Sequence, residues 1–100
     1  MGKMVKSVSY TVFDSGTTKT GSAEKILEDI RRNGAQKNEE MEKMTVEDYA
    51  EALIADADYF IPKNVMDAFK RFDFPTKYDR ALAYLAATPT SGVRILSQRG

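Results

Sequence analysis

From Thr45 to Ala87 the large apolar side chains recur at helical spacing. Val46, Tyr49, Ala50, Leu53, Ile54, Ala57, Phe60 and Ile61 fall at i, i+3, i+4 and i+7, which predicts one long amphipathic helix. Thr45 followed by Asp48 is a capping-box pattern at its start, and Met44 is spaced to staple onto Tyr49. Pro62 disfavours helix at Ile61 and suits the first turn of the next one. Val65, Met66, Phe69 and Phe72 give that next helix an apolar face. Phe74-Pro75 breaks it, Thr76 is a candidate cap, and Tyr78, Ala81, Leu82, Leu85 and Ala86 predict a further helix ending at Thr88-Pro89. Eight of the ten aromatics lie between Tyr49 and Tyr84, so this block is the predicted core. Eight exceed what so small a domain buries fully, and Tyr59 and Phe74 are the candidates to rim an exposed patch for a partner.

The pattern changes period outside this block. Met4 to Phe13 alternates, with Val8, Tyr10 and Val12 on one side and Ser7, Ser9 and Thr11 on the other, as a half-buried strand does. Asp14-Ser15-Gly16 is turn chemistry, and Thr17 to Thr20 can return as a short second strand. Ser22 then caps a helix with the stripe Ala23, Ile26, Leu27 and Ile30, stopped at Asn33-Gly34. Residues 33–43 are polar without a period and are expected to form a mobile loop. After Thr90-Ser91-Gly92, Val93 to Ser97 is β-compatible and predicts a strand pairing with the first.

Composition narrows the chemistry. With 42% hydrophobic and 30% charged residues, 100 residues make one globular domain with one core. There is no cysteine and no histidine. Disulfides, thiolate nucleophiles, imidazole acid–base catalysis and the usual Cys/His zinc sites are therefore excluded. No cofactor is expected, and the absence of cysteine agrees with a cytoplasmic location. No apolar run approaches the length of a membrane span.

Net charge is zero, but it is segregated. Residues 1–38 hold seven basic and four acidic side chains; residues 39–60 hold one lysine and eight acids. At about 100° per residue, Glu47, Glu51 and Asp58 share one helix face. Clustered carboxylates are commonly a solvated surface; the functional alternative is a docking surface for a basic partner.

Several short motifs suggest chemistry of their own. Asp14-Ser15-Gly16-Thr17-Thr18-Lys19-Thr20 resembles the phosphate-binding hairpin of actin-like ATPases and sugar kinases, which implies backbone amides facing phosphates. The resemblance covers seven residues, and Gly21-Ser22 departs from the apolar second strand of those families. Gly16 to Gly21 also has the glycine spacing of a P-loop, but Ser22 stands where its lysine belongs. The segments around Phe72-Asp73-Phe74-Pro75 resemble a helix-turn-helix, with Lys63, Lys70, Arg71, Lys77 and Arg80 as phosphate contacts, and also resemble ubiquitin-associated domains. Asp67, Asp73 and Asp79 interrupt the first pattern, and Asp73 replaces the turn glycine of the second. None of these assigns a nucleotide or a family.

The sequence thus predicts an α+β domain. A small antiparallel sheet, made of an N-terminal strand or hairpin paired with a C-terminal strand, packs against about four helices. The functional expectation is a non-enzymatic interaction or regulatory module for a protein with a basic surface. Glu47, Glu51, Asp58, Tyr59 and Phe74 are its candidate contacts. The alternative is a nucleic-acid accessory protein, either binding through its basic ends or using the acidic segment as a decoy.

Overall fold

The computed structural model describes residues 8–99, so the expected strand residues 4–7 lie outside the described part. The chain runs β1 (Ser9–Asp14), β2 (Thr17–Ser22), α1 (Ala23–Ala35), α2 (Glu39–Lys43), α3 (Val46–Phe60), α4 (Lys63–Phe69), α5 (Lys77–Ala87) and β3 (Val93–Arg99). The strands form one antiparallel sheet in the order β2-β1-β3, so β1 is central and the first strand pairs with the last. This is the α+β architecture the hydrophobic pattern predicts.

β1 and β2 join through a two-residue turn. Ser15 and Gly16 have φ of 47° and 95°, the left-handed pair that matches strand twist in a tight hairpin. Tyr10 and Val12 are buried against the helices, as the alternation requires. β1 meets β3 with one irregularity: Thr11 lies opposite Ser97 and Val12 opposite Ile95, leaving Leu96 as the extra residue of a bulge. Bulging an edge strand kinks it and discourages edge-to-edge pairing.

α1 and α5 lie on the inner face of the sheet, and α3 packs against both of them. Ile26, Leu27, Leu82 and Val12 are the largest fully buried side chains, joined by Tyr10, Ala50, Ala81 and Val93. A second cluster of Ala57, Ile61 and Tyr84 is closed by Val65, Met66 and Phe69 of α4. Thr45 and Asp48 complete the expected capping box, and Ser22 and Thr76 cap α1 and α5. Leu53, central in the sequence stripe, is only half-buried at the edge of the main core.

Residues 33–43, expected to be a loop, are largely helical. α1 continues to Ala35, and α2 follows after Asn38, whose side chain accepts from the Glu40 amide. Tertiary contacts stand in for the missing periodicity. Arg31 donates to the Met41 carbonyl at 3.0 Å, and the Met41 side chain packs where a Cβ on Gly34 would come within 2.6 Å of it. A glycine inside α1 therefore allows α2 to lie close.

Candidate functional site

α3 carries more apolar surface than one neighbour can cover. By helical angle, Ala50, Ile54, Ala57 and Ile61 form one edge of the stripe, while Tyr49, Leu53 and Phe60 lie on the other. The first edge enters the two cores. The second lines an apolar groove of about 230 Å³ between α3 and α5, reached by Met41 of α2 and by Met44. Tyr84, Leu85 and Thr88 of α5 form the opposite wall.

Phe60, assigned by spacing to the core, is 58% exposed at the end of this groove. Tyr59 beside it is 86% exposed, which places that candidate on the surface as expected. Met44 and Tyr49 line the same groove, consistent with the staple read from their spacing.

Asp56 is the charged side chain that lines the groove, and α2, which contributes Met41, carries Glu39, Glu40 and Glu42 against Lys43. Behind it, Arg31 bonds Glu28 through two nitrogens and holds that carboxyl below its usual range. The same guanidinium grips the Met41 carbonyl, so α1 fixes the position of the groove's methionine.

The five predicted contacts are not brought together. Glu47 and Glu51 both accept from Lys77 of α5, at 2.6 and 3.0 Å, and this pairing raises the lysine pKa. Their grouping therefore has an internal partner that the sequence pattern concealed. Asp58 is exposed about 10 Å beyond Glu51 along α3, at roughly 1.5 Å per residue. By helical angle these three acids lie on the flank of α3 away from the groove. Phe74 is half-buried in an aromatic cluster, with its ring 6.0 Å from Phe69 and from Phe72, 6.2 Å from Tyr84, and under the Arg80 guanidinium. It is Phe72, at 60% exposure, that meets solvent there.

One buried polar link ties sheet to helices. The Tyr10 hydroxyl donates to Asp79 Oδ1 at 2.6 Å, and the Thr76 hydroxyl donates to Oδ2 at 2.5 Å. Asp79 is 6% exposed. Burial, then the hydrogen bond to Asp79 and its charge, push the Tyr10 phenol well above its ordinary value. Two donors and the N-terminal turn of α5 compensate the carboxylate's loss of water. The link joins β1 to the first turn of α5, and Tyr10 also lines a shallow depression with Ser9, Thr11 and Arg99.

The phosphate-hairpin stretch shows ordinary hairpin bonding. The Ser15 hydroxyl donates to Asp14, the Thr17 hydroxyl to the Asp14 carbonyl, and Lys19 pairs with Asp29 of α1. Among the described residues, no three acidic side chains converge as a metal site requires, and no helix is long and apolar enough to cross a membrane. No family model, curated protein or solved structure matches this chain.

Proposed function

We propose that the protein is a non-enzymatic, cytoplasmic interaction module whose α2–α3–α5 groove receives the apolar face of a basic segment of a partner protein. The observation that carries this reading is the groove itself: Met41, Met44, Leu53 and Phe60 present apolar surface beside Asp56, and the helix that supplies Met41 has three glutamates to one lysine. Methionine side chains adapt to varied apolar partners, and an amphipathic helix laid in a groove anchors at helical spacing. Acidic surroundings favour a segment with Lys or Arg flanking those anchors and speed its encounter. The docking surface is thereby moved from the Glu47–Glu51–Asp58 face, where Lys77 already neutralises part of the charge, to the other flank of α3.

Calorimetric titration with an amphipathic Leu/Lys helix peptide and its Leu/Glu counterpart tests the reading. The Leu/Lys peptide is expected to bind, more weakly as salt rises, and Phe60→Ser is expected to reduce its affinity at least tenfold. Equal binding of the two peptides, or an affinity indifferent to Phe60→Ser, contradicts it.

A further inference from the structure

The helices cover only one face of the sheet. The uncovered face is built from Ser9, Thr11 and Phe13 of β1 together with their neighbours in register, among them Thr18, Thr20, Arg94 and Arg99. Its charge is of one sign. Asp14 is the only acid in the three strands, and it acts on Tyr49 of α3, whose phenol is raised by burial and by that carboxylate. Lys19 also turns to the helical side, where it pairs with Asp29. That leaves two arginines, hydroxyl groups and one aromatic ring on the outer face.

These groups are arranged at two ends. Arg94 lies over the Phe13 ring, 5.3 Å from its centroid, beside a depression at the edge of the sheet that both residues line together with Ala86, Thr88, Pro89 and Val93. Arg99 lines a second depression with Ser9, Thr11, Thr20 and Ser97. Each depression measures about 450 Å³. At roughly 3.3 Å per residue the two arginines are about 16 Å apart along β3. That separation matches a few nucleotides of an extended single strand.

We propose that this outer sheet face binds single-stranded nucleic acid, with phosphates on Arg94 and Arg99 and a base stacked on Phe13. The proposal does not rest on the groove, although Thr88 lines both the groove and the depression beside Arg94. Charge complementarity selects a polyanion. A second copy of the chain is disfavoured, since it would set arginines against arginines without an acid. The ring selects nucleic acid over an acidic peptide, because every base offers a face for stacking while a carboxylate does not. The hydroxyls can donate to phosphate or base edges without favouring one sequence.

Fluorescence anisotropy of the full chain with labelled oligo-dT and oligo-U at low salt tests this. Saturable binding of either is expected, with a log–log salt slope of about −1.4, two phosphates at roughly −0.7 each. Arg94→Gln with Arg99→Gln should weaken binding at least tenfold. Phe13→Leu should weaken it about fivefold or more with the salt slope kept, while Phe13→Tyr, which retains the ring, should bind like the parent. Circular dichroism and slow exchange of the Tyr10 amide report that each variant is folded. Any of the following overturns the proposal: no binding at low salt, parent-like binding by the double arginine variant, indifference to Phe13→Leu, or equal competition by polyglutamate.

Discussion

Asp79 is the residue on which the junction of sheet and helices depends most. Its carboxylate is held by Tyr10 from β1 and Thr76 from the cap of α5, partners 69 and three positions away. Asp79→Ala would leave the Tyr10 hydroxyl buried without an acceptor, and Tyr10→Phe would leave a buried charge one donor short. Each is expected to cost about 1–3 kcal/mol, and the double variant less than the sum of the two, because one bond is lost in all three. The same pair sets a pH dependence. The folded-state phenol titrates above its ordinary value of 10.0, so the link contributes fully below about pH 10 and is lost as pH rises beyond it. Urea unfolding at successive pH values should therefore show stability falling above pH 10, and falling less steeply in Tyr10→Phe. A parent whose stability is flat from pH 9 to 11 would contradict this. Lys77 follows the same sign, since its bonds to Glu47 and Glu51 raise its pKa and favour the fold until alkaline pH removes the proton.

At the scale of elements, the period of the hydrophobic pattern was informative where an element has one covered face. β1, α1 and α5 present Tyr10 and Val12, Ile26 and Leu27, Ala81 and Leu82 to the core as their spacing predicts. The caps at Ser22, Thr45 and Thr76 were equally legible, because side-chain capping is a local matter. α3 was legible as a helix but not in its division of labour. Its stripe is wider than one neighbour, and only tertiary packing decides that Ala57 is enclosed while Phe60 is exposed. Leu82→Ala should accordingly cost about 2–5 kcal/mol of a total of about 5–15, whereas Leu53→Ala, at the groove wall, should cost under about 2. Denaturant unfolding that ranks Leu53 above Leu82 would mean that α3, not α5, carries the centre of the core. α2 was illegible for the opposite reason, since five polar-rich residues have no period and are held by Arg31 and by the space at Gly34.

At the scale of the whole molecule, the first and last strands pair, and two of the surfaces that the helices leave uncovered differ in chemistry. One is the arginine-bearing sheet face; the other is the methionine-lined groove next to acids. Segregated charge was visible in the sequence, but not which acids were already answered. Lys77 lies 30 positions from Glu47, so that pairing exists only in the fold. Tyr59 was legible as exposed, whereas Met41 carried no signal beyond its apolarity and the helical spacing of Phe60 pointed to the core.

The central claim is that partners enter the groove, and methionine methyl groups report it directly. Met41 and Met44 line the groove, whereas Met66 packs against the second cluster beneath α4. With methyl-labelled protein, titration of the Leu/Lys peptide should shift the Met41 and Met44 resonances progressively to saturation and leave Met66 in place. Saturable binding that moves Met66 while Met41 and Met44 stay fixed would contradict the account.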